Sequence, residues 1–287
     1  MGATDASPRG LGAVADWLRR DRRAAVSLAF LVLLVLVALL APWISPHVPS
    51  EQNLSNTLAS PSAAHWLGTD DLGRDVFSRL LYGARVAIYA SFLAVGIALC
   101  LGVPVGILAG FMGGWVDEVF GRVIDTLLSF PAIVLAIAVT GALGIGLTNA
   151  MVAVGIVFAP QLARLARART LVVRQQLYVD AAQCFGASSG HILWRHILPN
   201  AIQPVLVQVT ILLAGALLAE ASLSFLGLGI QPPNPSWGAM LARAYQSMEI
   251  APEQMYAPGV AILLTALAFN SVGESLRREL DPTNKRL

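Results

Sequence analysis

The chain has 287 residues, of which 56 % are hydrophobic and only 13 % are charged. Soluble domains carry about 25 % charged residues, so a soluble fold of this length would lack the polar side chains needed to cover its surface. The net charge of +2 gives no basic field for nucleic acid. The composition therefore indicates an integral membrane protein and argues against a nucleic-acid-binding protein.

Six apolar stretches along the chain are candidates for membrane spans. A bilayer core of about 30 Å needs about 20 apolar residues in a helix, and lipid-exposed backbone must be paired within the segment. The stretches are 24–44, Arg85 to Asp117, Asp125 to about Leu147, Asn149–Ala163, Arg195 to Glu220, and Glu253 to Glu274. They predict an all-α polytopic bundle of about six transmembrane helices. The first exceeds the core of about 7–15 residues typical of a signal peptide, so we expect it to remain as a helix.

The basic residues are distributed unevenly between the two sides of the predicted bundle. Of the 19 Lys and Arg residues, all but Arg74, Arg79, Arg85 and Arg243 fall on the side of the termini. Cytoplasmic loops are enriched in Lys and Arg, so both termini are predicted to be cytoplasmic. The predicted organisation is a cytoplasmic segment 1–23, a first helix 24–44, an outer loop 45–85, a five-helix core 86–276 and a cytoplasmic tail 277–287. The core includes a cytoplasmic loop 167–199 and an outer loop 222–252.

The later part of the first outer loop has a helical pattern. We expect residues 69–85 to form a helix in the membrane interface, capped by Thr69 or Asp70. Asp75 and Arg79 are spaced for an i,i+4 ion pair. Apolar residues recur at spacing four on another face, at Leu72, Val76 and Leu80.

The sequence contains no recognisable catalytic or nucleotide-binding motif. A phosphate-binding loop requires a lysine, and the only lysine is Lys285, in the tail. Cys100 and Cys184 form no ligand or disulfide pattern, and His191 and His196 lack metal-ligand spacing. We therefore expect no catalytic group, metal or cofactor on this chain.

Three further residues are candidates for a gate or a translocation pathway. Glu220 follows an uncharged run and is predicted at the outer membrane boundary. It either faces water and headgroups or turns inward to a gate, where it would pair with Arg243, with Arg85 or with cargo. Pro160 is expected to bend the fourth span.

A cytoplasmic segment, residues 178–200, predicts two short helices around a turn. Asp180, Ala181 and Ala182 begin the first helix, and Gly186 suits a left-handed position after its end. Ser188 or Ser189 caps the second helix, and Pro199 is placed to begin the fifth span. The paired alanines offer a flat surface for close approach by a partner.

This segment resembles the EAA loop of membrane subunits in bacterial binding-protein-dependent ABC importers. That loop reads Glu-Ala-Ala, three residues, Gly, nine residues, Ile, one residue, Leu-Pro. Asp180 replaces Glu, and His196 replaces Ile as in the dipeptide, oligopeptide and nickel branch. The remaining matches are Ala181, Ala182, Gly186, Leu198 and Pro199. Residues 65–85, 223–229, 231–238 and 281–282 are similar to other segments of that branch.

The resemblance implies a C-type permease subunit with a type I importer fold. Its partners would be a second, B-type permease subunit, two ATP-binding-cassette chains or domains that bind ATP and Mg, and an extracytoplasmic solute-binding protein. The loop at 167–199 would be the coupling site, in the bacterial inner membrane. Peptides are the expected cargo, with nickel complexes and other small solutes as alternatives. A structural or assembly membrane protein and an intramembrane enzyme are the rival classes. The enzyme would need paired groups, whereas Asp125 and Glu220 lie on different predicted helices.

Overall fold

A computed structural model describes residues 21–280. The remainder of the predicted basic segment, including Arg9, Arg19 and Arg20, lies outside the described residues, as does the tail from Asp281. Within 21–280 the chain forms α-helices and short helical turns, with no β-strand. The helices are α1 Arg22–Ile44, α2 Val76–Met112, α3 Gly114–Leu128, α4 Ala132–Leu143, α5 Leu147–Arg174, α6 Leu177–Cys184, α7 Ser189–Ile192, α8 Leu198–Phe225, α9 Trp237–Gln246 and α10 Tyr256–Leu280.

Five of these helical segments are long and apolar enough to cross a membrane, and α3 with α4 forms a sixth span if taken together. This agrees with the predicted all-α bundle of about six spans. The third span differs from the prediction, because it is bent by 96° between α3 and α4. Pro131 lies at the bend and cannot donate a helical hydrogen bond. Alone, the 12 residues of α4 cover about 18 Å at about 1.5 Å per residue, less than the bilayer core.

The helix ends define two faces of the bundle. Asp21 accepts hydrogen bonds from Ser275 and Arg278, so the start of α1 and the end of α10 share one face, here called the terminal face. The end of α1 and the start of α2 meet on the opposite face, where the His47 amide donates to Ser78 Oγ. Following the chain, segment 175–197 returns to the terminal face and segment 226–255 to the opposite face.

A stripe of small residues holds α2 closely against α5. A Cβ added at Gly102 would lie 2.3 Å from the carbonyl oxygen of Ala159. A Cβ added at Gly106 would lie 2.2 Å from the carbonyl oxygen of Ala163. Gly110 has a similar clearance from Arg167 O, at 2.8 Å. This GxxxGxxxG seam permits backbone approach of the kind that drives helix packing in lipid, and it was not predicted from the sequence.

The predicted interfacial helix over 69–85 is wrong in its first part. Residues 69–75 form a turn, in which the Asp70 amide donates to Arg74 O and the Gly73 amide to Asp70 O. The helix begins at Val76, with Asp75 as its cap accepting from the Ser78 amide at 2.8 Å. Gly73 has a φ of +70°, which a helix does not accommodate. Residues 76–85 are therefore the first turns of α2 rather than a separate surface helix.

Candidate functional site

The predicted coupling segment folds as a helical hairpin, residues 175–197, between α5 and α8. Helix α6 contains Asp180, Ala181 and Ala182 and ends at Cys184. Ser188 caps α7 by accepting from the His191 amide at 3.3 Å. The two predicted helices and the serine cap are thus present in the structure.

Gly186 turns the hairpin by a Schellman motif. Its φ is +78°, the Ala187 amide donates to Ala182 O at 3.0 Å, and the Gly186 amide donates to Gln183 O at 2.9 Å. These two bonds are those expected when a residue in the left-handed region follows a helix end. An added Cβ at Gly186 would meet nothing within 4 Å, so only the backbone conformation demands glycine there.

The hairpin is anchored by buried side chains and leaves large apolar groups in the open. Val179, Ile192 and Ile197 are buried in the core, and Ala182 packs partly against it. Leu177, Phe185 and Trp194 are instead 85 %, 92 % and 70 % exposed. Because this face leads out of the bundle rather than into its apolar belt, these groups form a surface suited to a protein partner.

The second arm of the hairpin continues directly into α8. Residues Leu193–Ile197 form a π-helical turn, with the Leu198 amide donating to Leu193 O. Pro199 follows within the first turn of α8, as predicted, and its missing N–H favours such a local change of register. The His196 ring lies 5.8 Å from that of Tyr178 and 5.9 Å from that of His191. His196 therefore packs the two arms together.

Glu220 lies inward near the end of α8 and is 1 % exposed. Ser224 Oγ donates to its Oε1 at 2.7 Å, and Ser236, the cap of α9, also hydrogen-bonds to it. The expected partner Arg243 instead pairs with Asp71 at 3.0 Å, and the Arg85 guanidinium lies over the Tyr82 ring. The predicted ion pairs of Glu220 are therefore wrong, because the outer loop folds so that Asp71 holds Arg243. Pro160 is buried within α5, beside the seam.

The residues of the first outer loop instead form a compact charged cluster on the opposite face, here called the outer knot: Asp70, Asp71, Arg74, Arg79 and Arg243. Arg74 Nη2 lies 2.6 Å from Asp70 Oδ2, and Arg79 Nε lies 3.4 Å from the same oxygen. The predicted pair of Arg79 with Asp75 is replaced by this contact and by donation from Arg79 to Pro49 O at 2.7 Å.

Neighbouring polar contacts connect the outer knot to the rest of that face. Trp237 Nε1 donates to Leu80 O at 3.0 Å, and the Gln254 side-chain amide donates to Thr69 O. The segments 65–85 and 231–238, which carried the family resemblance, thus meet in space. Each segment could be identified from the sequence, but the contact between the two segments could not.

Among residues 21–280, five spans, or six with the bent pair, carry a hairpin on one face and a charged cluster on the other, which defines the chain as a polytopic α-helical membrane protein. Residues 102–286 match the family model described as binding-protein-dependent transport system inner membrane component, and residues 15–61 match the N-terminal transmembrane domain of oligopeptide transport permease C. The chain belongs to this family, as the resemblance predicted, and is a membrane-spanning permease subunit of an ABC importer.

Individual relatives and solved structures agree with this placement. The chain is 42 % identical over 279 residues to the dipeptide transport system permease protein DppC of Alkalihalophilus pseudofirmus, covering 95 % of this chain and 92 % of the relative. It is 45 % identical over 271 residues to the glutathione transport system permease protein GsiD of Escherichia coli, covering 93 % and 88 %. A structure of the inward-facing MetNI methionine ABC transporter aligns with a TM-score of 0.58 at 20 % identity, over 71 % of this chain and 96 % of that one. The structural likeness supports the type I importer fold.

Proposed function

We propose that this chain is the C-type half of a heteromeric importer and that its hairpin couples translocation to ATPase partners. The observation that carries the proposal is the hairpin itself: an anchored, Schellman-turned element that leaves Leu177, Phe185 and Trp194 open on the terminal face. A B-type permease subunit would complete the pathway, two ATP-binding-cassette chains would bind ATP and Mg, and an extracytoplasmic solute-binding protein would deliver cargo to the opposite face.

Short peptides are the proposed cargo. The support is sequence similarity. Relatives that are 42 % and 45 % identical over more than nine-tenths of this chain are named for dipeptide and glutathione transport. Uptake of labelled dipeptides and glutathione by cells carrying or lacking this chain tests the class. Accumulation of neither cargo above the deletion background would contradict it.

The coupling role is tested at Gly186, with two substitutions that differ in backbone preference. Valine resists the left-handed region, whereas asparagine adopts it readily. Because the site is sterically open, Gly186→Val should strain only the turn, by about 1–2 kcal/mol. We expect Gly186→Val to abolish uptake and reduce co-purification of the ATPase from native membranes, with the chain still inserted. Gly186→Asn should retain most of both.

Two results would contradict the coupling proposal. One is wild-type uptake by Gly186→Val, and the other is loss of uptake with full retention of the ATPase in both variants. Ala181→Arg provides a second probe, because Ala181 is exposed on α6 and a long cationic side chain there would obstruct close docking without disturbing Ala182, which packs against the core. Membrane content of each variant, measured by quantitative immunoblot, controls for insertion.

The orientation is proposed from the distribution of basic residues, with the termini and hairpin cytoplasmic. Native Cys184 is exposed on α6, so a Cys100→Ala chain provides a hairpin label without a new cysteine. Asn234→Cys, in an exposed part of loop 226–236, provides the opposite label once Cys184 is also removed. An impermeant maleimide added to intact spheroplasts should label Asn234→Cys and spare Cys184. The reverse pattern would invert the topology.

Glu220, with Arg243 and Pro160, is proposed to act in gating from the opposite face. Its support is a buried carboxyl group that links α8 to the cap of α9 through Ser224 and Ser236. Glu220→Gln preserves size and removes the charge. Unchanged uptake, with unchanged preference between cationic and anionic peptides, would reduce Glu220 to a structural residue.

A further inference from the structure

Two histidines and an aspartate converge on the opposite face, outside both the hairpin and the outer knot's ion pairs. His47 lies just after α1, His65 lies in the first outer loop, and Asp75 caps α2. Their candidate ligand atoms all lie within 4.8 Å of one another. The separation of these residues along the chain hid the cluster from the sequence analysis, which expected no metal site.

The distances within the cluster suit a small cation. His65 Nδ1 lies 2.9 Å from Asp75 Oδ1, and His47 Nδ1 lies 3.8 Å from Asp75 Oδ2. Ligands at about 2.0–2.2 Å from a tetrahedral zinc ion are separated by roughly 3.3–3.6 Å. These two separations lie on either side of that range, and the two imidazoles have ligand atoms within 4.8 Å of each other, so adjustment of the side chains would bring all three residues to bonding distance.

His47 points to a missing ligand. Its Nδ1 atom is buried and has no hydrogen-bond partner among residues 21–280, although its ring stacks on that of His65 with centroids 4.7 Å apart. Buried polar atoms are nearly always satisfied by protein, water or an ion. The His47 side chain is 36 % exposed and that of His65 is 18 % exposed, so an ion can reach the cluster from solvent.

The carboxylate is already oriented for this role. Ser78 donates to Asp75 Oδ2 through both its amide, at 2.8 Å, and its hydroxyl, at 2.6 Å. Such outer contacts fix first-sphere ligands in metal sites. His65 would bind the ion as a neutral imidazole with no proton on Nδ1, the tautomer that leaves this nitrogen free as a ligand.

We propose that His47, His65 and Asp75 bind a zinc-class divalent ion. Two imidazoles and one carboxylate favour a d-block ion such as zinc, whereas calcium prefers six to eight oxygen ligands. The ion joins the end of α1 to the start of α2, beside the His47 amide bond to Ser78 Oγ at 3.1 Å. It thereby fixes the amino-terminal helix against the permease core.

The full chain, purified in detergent with an affinity tag free of histidine, is stripped with a chelator and dialysed against buffered Zn²⁺. Wild type should retain one zinc ion per chain and show a higher unfolding temperature with Zn²⁺ than without. His47→Ala should weaken zinc binding by at least about 100-fold, because even outer-shell partners are worth about 10–100-fold. The matched control is His191→Ala, which removes one of the four histidines from the hairpin instead.

Cobalt provides an independent readout, since Co²⁺ in a tetrahedral site absorbs strongly in the visible range. Wild type and His191→Ala should show that absorption, and His47→Ala should not. If His47→Ala fails to fold by size-exclusion chromatography, His47→Gln replaces it, since it keeps a polar side chain at the same position. The proposal is overturned if wild type retains no zinc, if His191→Ala loses as much zinc as His47→Ala, or if folded His47 variants bind as wild type does.

Discussion

The two faces of this permease treat charged groups in opposite ways. On the opposite face, Arg74 is 1 % exposed and its guanidinium is held against Asp70. On the terminal face, the Arg122–Glu118 and Arg164–Asp125 pairs are exposed, while Phe185 and Trp194 of the hairpin stand in solvent. The opposite face thus satisfies buried charges within its own fold, whereas the charged pairs of the terminal face lie in solvent beside the exposed aromatic groups of the hairpin.

Removing a charge from the outer knot should have the largest effect on stability. Arg74→Met leaves buried Asp70 with its backbone hydrogen bonds from Leu72 and residue 74 but with only the longer charged contact from Arg79. Breaking one partner of a buried pair costs about 3–5 kcal/mol. Arg122→Met on the terminal face removes an arginine from an exposed i,i+4 pair worth about 0.3–0.5 kcal/mol. Thermal unfolding in detergent should therefore show a large fall in Tm for the first variant and almost none for the second. Equal shifts would remove the distinction between the faces.

The seam between α2 and α5 connects those faces, and it gives the next largest effect. Gly106→Ala places a methyl group 2.2 Å from Ala163 O, so the two helices must move apart. Overpacking of this kind lowers the free energy of unfolding by about 1–3 kcal/mol. Gly96→Ala is the matched control, because a Cβ there meets nothing within 4 Å on the same helix and alanine favours helix formation. Tm should fall for Gly106→Ala and hold or rise for Gly96→Ala. A fall of the same size in both would show that the seam does not depend on close approach.

The sequence predicted the elements whose signal is local. Apolar length located α1 and α8, and the spacing from Ala182 to Gly186 predicted the hairpin with its left-handed turn. These predictions succeeded because helix length, capping and turn chemistry depend on neighbouring residues. The family assignment rested on the same local motifs.

The sequence could not predict contacts made between distant segments. Leu72 to Leu80 had helical spacing, yet Asp70 and Gly73 close a turn, and Arg243 reaches Asp71 from 172 residues away. In the sequence, Gly102 and Gly106 look like any other residues of an apolar stretch. Their importance appears only from their close contact with α5. Pairing across such distances is set by packing of the whole bundle, which periodicity does not encode.

The smallest effect we predict concerns Asp21, where an acidic residue on the terminal face meets α10. Ser275 Oγ donates to its carboxylate at 2.7 Å and Arg278 lies at 2.9 Å. The hydrogen bond from Ser275 is the largest contribution lowering the pKa of Asp21 below its ordinary value of 3.8, with the amide of Ala24 and the charge of Arg278 adding to it. A carboxyl group with a lowered pKa stabilises the fold fully above its unfolded value. That stabilisation is lost as the pH falls through the folded value.

Asp21→Asn retains a side chain able to cap α1 but loses the attraction to Arg278. We expect a loss of about 0.2–1 kcal/mol at pH 7, as for other exposed pairs, and Ser275→Ala should reproduce part of it. The difference in Tm between wild type and Asp21→Asn should shrink below pH 3.8 and vanish once the wild-type carboxyl is protonated. A difference that stays constant to the lowest pH at which the chain remains folded would assign the contact to hydrogen bonding alone. In that case the charge of Asp21 would contribute nothing to the stability of the terminal face, and the contact with α10 would act through hydrogen bonds only.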